Sequence, residues 1–335
     1  MIGDDVAQVI EKNLVRHLAD GQFHSGQKLA DALGISRTAI WKQFKKLEML
    51  GLSVEVQRGK GYRLPGGIEL LDRKKILDAV PSQARPMISG LMVLDEIDST
   101  NRQISSLPES ERHGAICMAE MQSAGRGRRG RSWSSPFGRN IYLSLGWQFE
   151  GGAASLEGLS LAVGVAVCRA LTTDDSVSAP TSEALQLKWP NDILYMGRKL
   201  GGVLVEVQGD LSGDCYVTIG VGLNHRMAGA AIDTIGQPWA DVSEVSSVSR
   251  NTLAAALIGA LIAMIQIFES NGFSAFKEEW SGYDGYKDKA VTVQTVTTSI
   301  AGICRGIAHN GALLVETGSG RETFNGGEVS LRVQS

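Results

Sequence analysis

At 335 residues the chain exceeds the usual single-domain range, so two or three domains are expected. Its 43% hydrophobic and 21% charged residues are those of an ordinary soluble globular protein. A net charge of −3 excludes a polycation built as a whole for nucleic acid, yet the charge is unevenly divided: residues 1–66 hold 10 Lys+Arg against 7 Asp+Glu, and the remainder is acidic.

The first elements make a basic head. Val6, Ile10, Leu14 and Leu18 recur at a spacing of four and predict a helix over 5–19. Ser25 is placed to cap a short helix that Gly34 stops. Ser36 is placed to cap a second, whose inward face is Ile40, Phe44, Leu47 and Leu50. Two helices joined at a glycine are the pattern of a helix-turn-helix. VEVQRGKGYRL then alternates Val54/Val56 with Tyr62/Leu64 around Gly59-Lys60-Gly61, a β-hairpin that makes the unit winged. Residues 26–63 carry eight basic side chains against three acidic ones. Duplex DNA rewards such placement by counterion release, with base edges read from the start of the recognition helix; an ordinary basic surface on a small helical domain is the bland alternative. The DNA-facing candidates are Ser36, Arg37, Thr38, Lys42, Lys45 and Lys60. Pro65-Gly66-Gly67 reads as a linker, so 1–66 is the expected DNA-binding domain.

Residues 67–282 read as a second, mixed domain. LLDRKKI and ILDAV predict a helix; LMVLDEI, AICMAEM, NIYLSLGWQF, LQLKW, KLGGVLVEVQ and YVTIGVGLN predict strands; long helices are expected over 155–171 and 251–270. Strands outnumber helices, which favours an α+β fold with a largely antiparallel sheet. The apolar run LAAALIGALIAMI, 253–265, is too short to span a bilayer and reads as a core helix. The last segment, 283–335, is short strands with an Asn310-Gly311 turn signal, expected to form a small β-barrel. Cys117, Cys168, Cys215 and Cys304 form no CxxC pair, and the five histidines show no HxxxH spacing, so reduced thiols are expected and any metal arrives with a substrate. The acidic N-terminus has no apolar signal core, and a cytoplasmic protein without membrane attachment is expected.

The stretch GRGRRGRSW, 125–133, concentrates four arginines. It lies between two predicted strands, and Gly125, Gly127 and Gly130 permit close backbone approach to a ligand. A pocket for small anions, with guanidinium forks on carboxylate or phosphate, is favoured over a nucleic-acid arm; a merely solvated loop stays open. Three polar clusters accompany it: EIDSTNRQ at 96–103, KWPND at 188–192 and GRKLGGVLVE at 197–206. No GxxxxGK[ST] is present. GVGLN, 220–224, reads alone as a tight turn.

DSTN, QxAGRGRRGRxW, KWPND, RKLGGVLVE, GVGLN and GGEVSLR, in this order behind a winged helix-turn-helix, resemble the bifunctional biotin–protein ligase/biotin operon repressor family over essentially the whole chain. The resemblance implies an N-terminal winged helix-turn-helix, a central ligase domain and a C-terminal SH3-like β-barrel. It implies that biotin's carboxylate is joined to the α-phosphorus of ATP, with Mg²⁺ on the phosphates. The biotinyl group of biotinyl-5′-AMP then passes to a lysine of a biotin carboxyl carrier protein, an acetyl-CoA carboxylase subunit. It also implies repression of biotin-synthesis genes at operator DNA by a homodimer, with biotinyl-5′-AMP as corepressor. Arg128 and Lys199 match the catalytic positions, where a carboxylate meeting a triphosphate requires fixed positive charge. With them, Ser99, Thr100, Asn101, Gln122, Gly125, Arg126, Gly127 and Gly202 match the biotin side. Arg131, Trp133, Lys188, Asn191, Asp192, Asn224, Trp239 and Arg332 match the nucleotide side, Asp192 being the one contact offered to the metal.

A water-labile mixed anhydride calls for a lid, and the Gly/Arg loop and residues 236–245 are the two candidates. Residues 172–186 are longer and more polar than the family's link and read as a surface insertion. Trp41 on the outer face of the recognition helix means that base contacts do not carry over from a relative. Two alternatives remain: a biotin-sensing DNA-binding regulator without ligase activity, and a lipoate–protein ligase.

Overall fold

The structure is a computed structural model that describes residues 13–173, 184–209, 213–227, 235–295, 298–326 and 330–333. Val6 and Ile10, most of the 172–186 insertion and part of GGEVSLR lie outside these residues. In the head, residues 13–18 are helical and bury Leu14, Val15 and Leu18. Helix α1, Gly26–Leu33, is capped by Ser25, whose Oγ accepts from Lys28 N at 3.2 Å; Gly34, at φ 64°, ends it in the left-handed conformation. Helix α2, Arg37–Met49, starts in the same way, with Ser36 Oγ accepting from Ala39 N at 3.1 Å. Ile40, Phe44 and Leu47 face inward, one turn apart. Strands β1, Glu55–Gln57, and β2, Gly61–Arg63, form the hairpin that follows, with Val56 opposite Tyr62. This small core is completed by Ile68 and by Phe137 from the next domain, so the linker is pinned at both ends.

The central domain begins with helix α3, Arg73–Ala79. Its sheet comprises β3 (Gly90–Ile97), β4 (Ala115–Gln122), β5 (Asn140–Phe149), β6 (Leu185–Lys188), β7 (Asp192–Tyr195), β8 (Arg198–Gly209) and β9 (Cys215–Asn224). The strand order is β3-β4-β5-β9-β8-β7-β6; β3 and β4 are parallel and the other pairs antiparallel. Alternation along β5 divides the two faces. Ile141, Leu143, Leu145, Trp147 and Phe149 join the main core with helices α6 (Leu159–Thr172) and α7 (Arg250–Asn271). On the opposite face Ser144 and Gly146 meet helix α4, Thr100–Ser105, while helix α5, Glu109–Arg112, follows it. The expected helix over 155–171 begins at Leu159, after a 3₁₀ turn over Ala153–Leu156. Taken with the turns beside them, the helical stretches Ala154–Thr172 and Arg250–Ala275 are long and apolar enough to cross a membrane, the second exceeding the thirteen-residue run seen in the sequence. Two-thirds of each apolar window is instead buried within the fold.

After helix α8, Lys277–Tyr283, five antiparallel strands follow: β10 (Ala290–Gln294), β11 (Ser299–Ile307), β12 (Leu313–Thr317), β13 (Gly320–Phe324) and β14 (Ser330–Val333). Their order is β13-β12-β11-β10-β14, and no ladder joins β13 to β14 among the described residues. Val291, Val293, Cys304, Leu313, Val315 and Leu331 merge with the central core rather than forming a separate one. Trp189 seals the junction, its buried indole N–H donating to Gly311 O at 3.0 Å.

Candidate active site

On the α4 face of the sheet lies a cavity of about 500 Å³, within the ordinary range for a ligand site. Ser99, Thr100, Asn101, Gln122, Arg126, Gly127, Arg128, Arg131, Trp133, Lys188, Asn191, Asp192, Lys199 and Gly202 all line it. Four segments far apart in the sequence therefore converge on one space.

The Gly/Arg loop forms its own turn: Gly127 N donates to Arg131 O at 2.7 Å, and Arg129 sits at φ 58° between them. The four arginines divide their work. Arg126 is held by Glu206 of β8 through Nη1 at 2.8 Å and Nη2 at 2.9 Å. Arg128 donates from Nη1 to Asn191 Oδ1 at 3.3 Å and from Nη2 to the carbonyl of Gly326, a contact to the C-terminal domain. Burial lowers the pKa of Arg128 below the ordinary guanidinium value, with Asp192 opposing the shift and Arg129 and Arg131 adding to it. A guanidinium remains charged through such shifts. It is a fixed cation stripped of part of its hydration.

The strand-to-helix corner at Ser99 supplies the polar floor. Thr100 N and Thr100 Oγ1 both donate to Gln122 Oε1, at 2.9 and 3.1 Å. Asn101 Nδ2 donates to Glu206 Oε2 at 2.7 Å, and its Oδ1 lies 2.6 Å from the hydroxyl of the buried Ser144. Glu206 thus binds both Arg126 and Asn101, tying the arginine loop to the corner. Neither Glu206 nor Ser144 stands out in the sequence: their partners are 105 and 43 residues away.

GVGLN is not a tight turn. Gly220 and Gly222 lie within β9, and both are there for clearance. A Cβ at Gly220 would overlap the Asn101 carboxamide, and one at Gly222 would lie 2.8 Å from Trp133 Cε2. Trp133 consequently lies flat on the sheet, its Nε1–H buried without a partner among the described residues. Lys199 Nζ is 5.5 Å from the ring centroid, and 2.6 Å from Asp192 Oδ1, both side chains only 19% exposed. Asp192 is the only carboxylate among the described residues lining the cavity, and no cluster of three potential metal ligands occurs among the described residues.

Four candidates sit differently. Asn224 turns away and binds the carbonyls of Lys199 and Ala240, at 3.3 and 3.0 Å, so it fastens the strand that carries Lys199. Trp239 bridges to Lys199 through its backbone, while Gly236 and Gln237 of the same segment reach the cavity wall. Gly125 lies beside the cavity; a Cβ there would meet Trp133 O and Ser135 Oγ at 2.7 Å. The backbone of Arg332 pairs with Thr292, and its side chain is outside the described structure. Its neighbour Leu331 touches the cavity. In the head, Ser36, Arg37, Thr38, Lys42, Lys45 and Lys60 are all exposed, and Lys45 Nζ lies 4.3 Å from the ring of Trp41, itself 56% exposed.

Comparison with known proteins finds the biotin/lipoate A/B protein ligase family over residues 93–224, an HTH domain over 11–63 and the biotin protein ligase C-terminal domain over 288–332. The chain is 40% identical over 320 residues to the bifunctional ligase/repressor BirA of Salmonella typhimurium, covering 95% of this chain and 96% of that protein. Identity to the Escherichia coli counterpart is 39% over the same shares. Among solved structures, the biotin protein ligase of Aquifex aeolicus in complex with biotin and ATP aligns with a TM-score of 0.61 and 26% identity, over 73% of this chain and 99% of that one. A basic winged head, a cavity floored by glycines and walled by arginines, and similarity along nearly the full length agree: the chain belongs to the family of bifunctional biotin–protein ligase/repressors.

Proposed function

We propose that the cavity joins biotin to ATP and that the head represses transcription according to the product. The observation that carries this reading is the convergence of Arg126, Arg128 and Lys199 on one cavity whose other wall is Trp133 and the Asn191-Asp192 turn. A biotin carboxylate and a triphosphate repel one another, and preorganised cations let the carboxylate oxygen attack the α-phosphorus while pyrophosphate leaves. Arg128 and Lys199 are assigned to that charge. Thr100, Gln122, Arg126 and the backbone at Gly202 are assigned to biotin, and Trp133, Lys188 and Asn191 to the nucleotide. Mg²⁺ would accompany ATP and neutralise phosphate charge, and Asp192, now paired with Lys199, is the cavity carboxylate that would hold it. In the second step a carrier lysine amine attacks the acyl carbon of biotinyl-5′-AMP and AMP leaves; the acceptor is a carrier domain of acetyl-CoA carboxylase.

Three units, 1–66, 67–282 and 283–335, are assigned to DNA binding, ligation and an SH3-like closing domain. Biotinyl-5′-AMP acts as corepressor by favouring a homodimer whose two heads meet a two-fold operator in the cytoplasm. Ser36, Arg37, Thr38, Lys42, Lys45 and Lys60 carry the DNA contacts. The test of the ligase reading is biotin-dependent ATP–pyrophosphate exchange by the full chain. Exchange with biotin and not with lipoate supports it; no exchange indicates a biotin sensor, and preference for lipoate a lipoate ligase.

A further inference from the structure

A second polar cavity, of about 310 Å³, lies between the head and the central domain, walled on one side by the linker from Gly66 to Glu69 and on the other by Arg139, His225, Arg226 and Arg250. Three guanidinium groups and two carboxylates line it, and neither carboxylate pairs with the guanidinium of Arg139 or Arg226. Asp20 is taken by His24 and the backbone of Gln22; Glu69 accepts from Arg250 N at 2.6 Å and from Asn251 Nδ2 at 2.7 Å. Arg250, 1% exposed, is satisfied by Glu120 at 2.8 Å and by the carbonyls of Glu69 and Asn140, though its Nε has no partner. Arg139 and Arg226 have no carboxylate among the described residues, and the buried Nε of Arg139 is also without a partner. Burial, and then the charges of Arg250 and Arg226, pull the pKa of Arg139 down, as expected where cations crowd together.

His225 adds a complementary group. It is 2% exposed, and its Nε2 pairs with Val248 O at 3.0 Å, which leaves Nδ1 as a buried acceptor with no donor among the described residues. Buried polar groups of both kinds without protein partners are what an ordered water or a bound ion would satisfy, and one ion can satisfy both. Hydrogenphosphate has negative oxygens for the guanidinium groups and one O–H for an imidazole nitrogen.

The geometry points to a binding site for a small phosphate-class oxyanion at this junction, bridging the linker and the central domain and so fixing the head to the core. None of the residues of the recognition helix or the hairpin lines the cavity, which argues for a free anion rather than a phosphate of bound DNA.

The experiment is titration of the full chain with inorganic phosphate at constant ionic strength, read by calorimetry and by the unfolding midpoint. Saturable binding is expected for wild type, weakened at least tenfold in Arg139→Gln and in Arg226→Gln, and retained in Arg128→Ala. Arg139 and Arg226 line no part of the ligase cavity, so both variants should keep wild-type pyrophosphate exchange, which also shows that they fold. No saturable binding in wild type overturns the site. So does loss in Arg128→Ala with retention in Arg139→Gln, which would put the anion in the nucleotide pocket. Displacement of phosphate by an operator-length duplex would assign the cluster to the DNA backbone and equally overturn it.

Discussion

Trp133 rests on the backbone of Gly222: a Cβ at that position would lie 2.8 Å from Cε2 and 3.0 Å from both Cζ2 and Nε1 of the indole. The glycine thereby sets the height of the Trp133 wall of the cavity, which is assigned above to the nucleotide. Gly222→Ala should lift the ring, with overpacking of about 1–3 kcal/mol to relieve. The KM for ATP is expected to rise about tenfold or more, with the KM for biotin changed much less. Steady-state exchange with each substrate varied in turn checks the split.

Glu206 binds both Arg126 and Asn101, so Glu206→Gln should loosen the arginine loop without removing any group that faces a ligand. Arg126 and Glu206 side chains are about one-third exposed, 35% and 31%, and such a pair is worth at most about 1 kcal/mol. Biotin affinity is expected to fall by no more than about fivefold, measured by calorimetry. A hundredfold loss would mean that Glu206 itself contacts the ligand.

In the head, Ser36 combines a helix cap with its assigned DNA contact, whereas Lys42 carries only a charged contact. Ser36→Ala removes a helix cap worth about 1 kcal/mol and should lower the midpoint of unfolding. Lys42→Ala should leave that midpoint unchanged and reduce the slope of log K against log salt by about 1, as for the loss of one phosphate contact. Operator binding measured across a salt series distinguishes them.

The pKa of His225 is pushed down to about 4, first by burial and then by the charges of Arg250 and Arg226, while the Val248 carbonyl pulls the other way. Its ordinary value is near 6.5, so between the two values the unfolded chain binds more protons than the folded one. Stability is therefore full above about pH 6.5 and falls as pH drops towards 4. His225→Gln should flatten that part of the stability-versus-pH curve, followed by denaturant unfolding from pH 7 to 4.

Much of this was legible in the sequence because it is local. Ser25, Ser36 and Gly34 announce the helix ends within four residues, and the arginine loop, KWPND and RKLGG are contiguous. What was not legible depends on distant partners. Phe137 enters the core of the head from the central domain, and Gly220 makes room for Asn101 more than a hundred residues earlier. Asn224, expected at the nucleotide, spends its carboxamide on two backbone carbonyls. A glycine or asparagine in a strand has the same local signature whether it meets a ligand or a neighbouring side chain; only the three-dimensional neighbours decide.

The central claim is that Arg128 and Lys199 supply the charge for adenylate formation. Its most direct test is the single-turnover rate of biotinyl-5′-AMP formation from biotin, ATP and Mg²⁺ by the full chain, compared with Arg128→Ala and Lys199→Ala. Loss of one preorganised cation should slow that step about 10²–10³-fold. Transfer of supplied biotinyl-5′-AMP to a carrier domain should be slowed less. Adenylate formation at the wild-type rate in both variants would contradict the account.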